Sequence, residues 1–157
     1  MKAIGIRAEP SGFTWAVVEG TRERPILVAV DTASAPDSYE EPDSLKWSRA
    51  RLATLVKQYD ATAVALRLPE SHGRHGYTEA DGRRSRLEGV LMELGAANGL
   101  AVVAGNLKTV GTRQGVAKPK DELASEDLRG LDWSTLNVKK REAVFAAASA
   151  LSDGGDE

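Results

Sequence analysis

The chain opens with three apolar runs of strand length, joined by links too short for any arrangement but antiparallel neighbours. Residues 2–8 are rich in isoleucine. Residues 13–19 alternate around Trp15 and Val17 after a Ser11-Gly12 turn, and residues 25–32 follow the polar turn at 20–24. Antiparallel strands can be joined by a tight turn, whereas a parallel pair needs a crossover of about a dozen residues or more. A three-strand meander is therefore expected over residues 2–32.

The pattern then changes period. Residues 33–43 are polar, with two prolines, and read as an exposed loop. Ser44 is placed to cap a helix whose apolar face carries Leu45, Leu52, Leu55, Val56 and Tyr59. Residues 62–68 form a fourth strand, apolar enough for a sheet covered on both sides. A Gly- and His-containing loop spans 69–81. Leu87, Val90, Leu91 and Leu94 mark a second amphipathic helix ending at Asn98-Gly99. Residues 100–104 are a fifth strand. Short helical pieces are expected near 106–110 and 120–128, and an alanine-rich helix capped by Asn137 over 138–151. Glu142, Phe145, Ala146 and Ser149 share one face of that helix. Residues 152–157 should fray. The order β-β-β-α-β-α-β-α, with no repeat and no linker, predicts one α/β domain over 1–151: a mixed five-stranded sheet, three strands antiparallel and two parallel, with helices on its faces.

Composition narrows the chemistry. A chain of 157 residues can bury a sizeable core. It has no cysteine, which excludes disulfides, thiolate zinc sites and cysteine nucleophiles and suits the reducing cytoplasm. The first six residues are too short and too soon charged for a signal peptide, and no apolar run approaches membrane-spanning length. Net charge is −2, so a polyanion partner would need a local patch. Charge is indeed uneven. Residues 31–43 carry Asp31, Asp37, Glu40, Glu41 and Asp43 without a cation, and residues 94–120 carry Lys108, Arg113, Lys118 and Lys120 without an anion.

Several motifs fail on inspection. Residues 105–109, Gly-Asn-Leu-Lys-Thr, lack the earlier glycine and the Gly-Lys junction of a phosphate-binding loop. No Gly-x-Ser-x-Gly elbow surrounds Ser71. His72 and His75 would need Glu70, Glu79 or Asp81 to complete a zinc site, and solvated loop histidines are the simpler reading. The basic residues carry more. Arg74, Arg83, Arg84, Arg86, Lys108, Arg113, Lys118 and Lys120 flank the carboxyl ends of strands four and five, the edge at which open sheets bind ligands. Clustered cations of this kind suit phosphate contacts, and Tyr77 is placed to stack on a base. Trp15, Trp47 and Trp133 read as core or cover residues.

Three stretches carry a resemblance. Ile4-Gly5-Ile6-Arg7-Ala8-Glu9-Pro10-Ser11-Gly12 resembles the first strand of RuvC-type Holliday-junction resolvases, where Gly-Ile-Asp-Pro-Gly precedes the first hairpin. Leu107-Lys108-Thr109-Val110-Gly111-Thr112, followed by Gly115-Val116-Ala117-Lys118, is similar to the lysine-rich segment after that family's fifth strand. Glu142-Ala143-Val144-Phe145-Ala146-Ala147 resembles the closing helix, which carries Asp-Ala and then small apolar residues. The element order is that of the ribonuclease-H-like superfamily along nearly the whole chain. The chain is also similar to a group of uncharacterised bacterial ribonuclease-H-like proteins of about this length.

Such nucleases hold two metal ions between carboxylates. The resemblance places the first-strand aspartate at Arg7, the fourth-strand glutamate at Leu66 or Arg67, and the closing-helix aspartate at Glu142. Only Glu142 is acidic, and one carboxylate beside a guanidinium cannot hold two hard cations. The resemblance therefore implies a catalytically degenerate protein that binds nucleic acid, a protein partner or both, with no catalytic residue, metal or cofactor expected. In place of the metal it implies an ion pair between Glu142 and Arg7, with Arg67 as the next partner. Two other readings stand beside it. One is an active nuclease using magnesium or manganese on Glu9, Glu142 and Glu70 or Glu88. The other is a non-enzymatic assembly protein that docks a partner on a strand edge or on the acidic loop.

Overall fold

In the computed structural model, which describes residues 1–70 and 76–154, the first strand lies at the centre of the sheet and divides its side chains between two cores. β1 (Lys2–Glu9) pairs antiparallel with β2 (Gly12–Gly20), which pairs antiparallel with β3 (Pro25–Ser34). On its other side β1 pairs parallel with β4 (Ala63–Arg67), and β4 pairs parallel with β5 (Ala101–Gly105), giving the order β3-β2-β1-β4-β5. This is the expected mixed five-stranded sheet. Ile4, Ile6 and Ala8 point toward α1 (Glu41–Tyr59) and α2 (Glu79–Ala97), where Leu52, Leu55, Leu87, Leu91 and Leu94 join them. Ala3 and Gly5 point the other way, toward α5 (Val138–Ser149).

That second face is built on close approach. A Cβ on Gly5 would lie 1.8 Å from the carbonyl oxygen of Ala143, so the α5 backbone rests directly on β1. Helix α5 is buried all round from Glu142 to Ser149 rather than along one stripe. The sheet covers one side. The other is covered by Leu123 of α4 (Pro119–Leu123), Leu128 and Leu131 of a small hairpin, and Trp133. Alanines let so many neighbours reach the helix at once.

Several boundaries differ from the sequence reading. Helix α1 starts at Glu41, not at a Ser44 cap. Pro42 suits a first turn, where its missing N–H would be unpaired anyway, and the Ser44 N–H donates to the Glu40 carbonyl (2.9 Å). Helix α2 begins within the expected loop, because Thr78 and Asp81 form a reciprocal capping box. Helix α3 (Leu107–Gln114), capped by Asn106, runs past the expected short piece to Gly115, which sits at φ 75°. Residues 120–128 are not one helix. Only α4 is helical there, and β6 (Asp127–Leu128) and β7 (Leu131–Asp132) form a hairpin about Arg129 and Gly130, both at positive φ. Ser152 follows the last helix. Its carbonyl accepts from the Arg22 N–H (3.1 Å), and Asp153 pairs with the Arg22 guanidinium (2.6 Å). No helix among the described residues is long and apolar enough to cross a membrane.

Candidate functional site

The carboxyl ends of β1 and β4 bring Arg7 and Arg67 to the α5 side of the sheet. Ile6 pairs with Leu66 across the strands, so Arg7 and Arg67 stand side by side one residue further on. Leu66 points to the opposite core, which leaves Arg67 as the fourth-strand residue at this corner. Glu142 rises from the second turn of α5 between them. One carboxylate oxygen pairs with Arg7 Nε and the other with Arg67 Nη2 at 3.5 Å. The Glu142 side chain is 7% exposed, those of Arg67 and Arg7 14% and 25%. Arg7 Nη1 also donates to Glu9 Oε1 (2.9 Å), which Lys139 Nζ approaches at the same distance. The result is a chain of alternating charge: Arg67, Glu142, Arg7, Glu9, Lys139. The expected contacts of Glu142 with Arg7 and Arg67 are present, and the sequence reading missed Lys139.

The opposite lip of the corner carries Arg84 and Glu88 from α2. Glu88 is buried, and one of its oxygens has no hydrogen-bond partner among the described residues. Desolvation pushes its carboxyl above the ordinary glutamate value, while the Arg84 and Arg67 charges pull it back. The cavity left among Arg7, Ala8, Arg67, Pro69, Arg84 and Glu88 is about 10 Å³, room for about one water.

A pair of divalent cations does not fit these residues. Both Glu142 oxygens face guanidinium groups, and Glu9 is shared by Arg7 and Lys139. Glu70 accepts from the Leu107 N–H (3.0 Å) at the start of α3. Among the described residues no three His, Cys, Asp or Glu side chains converge as a metal-ligand set. Hard cations want several oxygen ligands, and adjacent guanidinium groups repel them.

The basic residues divide into two groups. On α2, Arg83 pairs with Glu41 (3.4 Å), Arg86 donates through Nη2 to the same carboxylate (2.9 Å), and Arg84 pairs with Asp81 (3.0 Å). The Arg86 hydrogen bond holds the Glu41 carboxyl below its ordinary value. The α2 arginines are thus tied to carboxylates rather than forming the open patch expected from sequence. The Asp81–Arg84 pair has an i, i+3 spacing legible in the sequence. Glu41 lies more than forty residues from its partners and gave no such signal. On α3, on α4 and just before α4, Lys108, Arg113, Lys118 and Lys120 are exposed and make no ion pair among the described residues. Lys108, Lys118 and Lys120 line a groove of about 460 Å³ with Glu70 and Asp121, floored by Leu107, Ala117 and Pro119. Tyr77, 63% exposed, packs over Gly82 at the start of α2. Arg74, His72 and His75 lie outside the described residues. Trp15 and Trp133 are buried and Trp47 is half-buried, as cover residues should be.

No family model matches the chain, and no curated protein matches it. Solved structures do. RuvC from T. thermophilus, in complex with a Holliday junction substrate, superposes with a TM-score of 0.74 at 14% identity, over 95% of this chain and 91% of that one. The yeast mitochondrial Holliday junction resolvase Ydc2 gives 0.57 at 11% identity, over 94% and 77%. The Fowlpox virus resolvase bound to Holliday junction DNA gives 0.50 at 10%, over 95% and 97%. At these identities the likeness is one of fold: this chain has the ribonuclease-H-like fold in the form seen in RuvC.

Proposed function

We propose that this protein binds nucleic acid along the carboxyl edge of its sheet and does not cleave it with metal ions. The observation that carries the reading is the engagement of Glu142 by Arg7 and Arg67 in the corner where resolvases of this fold are expected to hold metal. A carboxylate held by two guanidinium groups is a poor ligand for magnesium or manganese, because the cation must displace one positive charge and approach another. Binding is supported by the three free lysines around one groove and by neighbours of the same fold that hold Holliday junction DNA. Lysines without carboxylate partners are suited to neutralising phosphates and releasing counterions. A chain without cysteine is suited to a reducing compartment, and we place its activity in the cytoplasm.

The test is a four-way DNA junction, offered beside linear duplex and RNA–DNA hybrid, with magnesium or manganese present. Retention that weakens steeply with salt, and no cleavage product, is the expected result. Metal-dependent cleavage that disappears in Glu142→Gln would overturn the reading, since Glu142 would then be a ligand. Absence of binding to all three at low salt would remove the nucleic-acid half.

A further inference from the structure

Away from the sheet edge, Tyr39 and Trp47 line a cleft of about 390 Å³ together with Asp43, Lys46 and Ala50. Asp43, Lys46, Trp47 and Ala50 follow i, i+3, i+4, i+7 spacing and so share one face of α1. Tyr39 stands just before the helix, after a turn in which its N–H donates to the Pro36 carbonyl (3.0 Å), and is 43% exposed. Two aromatic side chains and a carboxylate around one opening form a receptor for a cation. Ring faces carry negative potential, and the carboxylate supplies the full charge. Nothing in the corner or the lysine groove uses these residues.

Two further carboxylates, Asp37 and Glu40, flank Tyr39 in the chain. Asp37, Glu40 and Asp43 are exposed and make no ion pair among the described residues, whereas Glu41 is engaged by Arg83 and Arg86. In the lining Asp43 faces one cation, Lys46, and the negative excess comes from Asp37 and Glu40 on the segment that carries Tyr39 into the helix. A lone small cation would use Asp43 and the rings and leave Asp37 and Glu40 without a role. A segment with successive basic residues engages all three, and phosphate is repelled from the same surface.

We propose that this cleft docks an arginine-rich segment of a protein partner, with one guanidinium group seated between Tyr39 and Trp47 against Asp43 and further basic residues lying along Glu40 and Asp37. Arginine suits the site better than lysine because its planar, weakly hydrated head stacks on aromatic faces. The protein carries its own reporter. Trp15 and Trp133 are 4% and 0% exposed, so acrylamide quenching of tryptophan fluorescence reads Trp47.

The full chain is titrated with a short Arg-Gly repeat peptide, with a Glu-Gly repeat as control. The Arg-Gly peptide should shield Trp47 and the Glu-Gly peptide should not. Asp43→Lys should weaken the midpoint by at least about fivefold, because it removes an exposed ion pair and sets a like charge in its place. Asp43→Asn and Glu40→Lys should weaken it by smaller factors, with circular dichroism unchanged. High salt should abolish the shielding. Three results would overturn the proposal: no shielding by the Arg-Gly peptide, equal shielding by the Glu-Gly peptide, or an unaltered midpoint in Asp43→Lys. Shielding that rises with protein concentration alone would overturn it too, because a second copy would then cover the cleft.

Discussion

Glu142 has two guanidinium neighbours, and they respond differently to its loss. Arg7 retains Glu9, while Arg67 keeps, among the described residues, a hydrogen bond from Nη1 to the Leu68 carbonyl (3.1 Å) and the nearby Glu88 charge. Breaking a buried pair from one side costs more than the pair is worth, because the surviving charge stays desolvated. Glu142→Gln should therefore destabilise the fold by about 3 kcal/mol, the low end of the range for buried pairs, since Arg7 is partly exposed. Urea unfolding of Glu142→Gln, Arg67→Met and the double variant should show coupling of about 1 kcal/mol; additive losses would mean that the two residues do not interact. Glu88 predicts the opposite sign. Burial raises its folded-state pKa, so the native chain binds more protons than the unfolded one just above the ordinary glutamate value. The stability this provides is present below that value and is lost as pH rises through the folded pKa. Glu88→Gln should raise stability at pH 7 by on the order of 1 kcal/mol and flatten that decline. A less stable glutamine variant at pH 7 would mean that Arg84 and Arg67 depend on the Glu88 charge more than its burial costs.

Helix α5 and strand β1 meet backbone to backbone at Gly5, and no side-chain rotation relieves a methyl group there. The carbonyl of Ala143 and the N–H of Ala147, 1.8 and 2.5 Å from the would-be Cβ, belong to a helix buried on all sides. Gly5→Ala should cost about 3 kcal/mol or more, read as a lower urea midpoint at unchanged slope. Loss of the near-native β1–α5 contact without loss of stability would show that the helix can slide. This approach was legible only in part. A glycine inside an isoleucine-rich strand marks a close neighbour, but the sequence does not say which one. The five sheet strands were readable because their apolar or alternating runs have strand length and are bounded by Gly or Pro. The β6–β7 hairpin was not, because each strand is only two residues long and its turn is Arg-Gly rather than Asn-Gly. Arg129 holds that turn from a distance, donating to the carbonyls of Gln114 (2.7 Å) and Arg22 (3.3 Å). The full burial of α5 was hidden for a related reason. Its outer cover comes from this hairpin and α4, whose residues show no period of their own.

Charge across the whole molecule is distributed differently from what the chain order shows. Sequence neighbours grouped the arginines of α2 with the lysines about α3 and α4, but Glu41 crosses from α1 to take Arg83 and Arg86, leaving the lysine groove as an open cationic surface among the described residues. Each lysine that neutralises a phosphate releases counterions and adds about 0.9 to the slope of log affinity against log salt on duplex DNA. An arginine already paired with Glu41 must give up that carboxylate first, so its net contribution is smaller. The combined Lys108→Ala, Lys118→Ala and Lys120→Ala variant should thus lower the slope by about three if all three touch the backbone, and weaken binding alike on every sequence, since phosphate contacts carry no base information. Arg83→Ala with Arg86→Ala should lower it by less than about one. Fluorescence anisotropy of a labelled junction, read across a salt series, separates the two surfaces. A double arginine variant that loses as much slope as the triple lysine variant would move the binding surface onto α2 and show that Glu41 yields its partners to DNA. A triple lysine variant with an unchanged slope would take the groove out of the binding surface altogether.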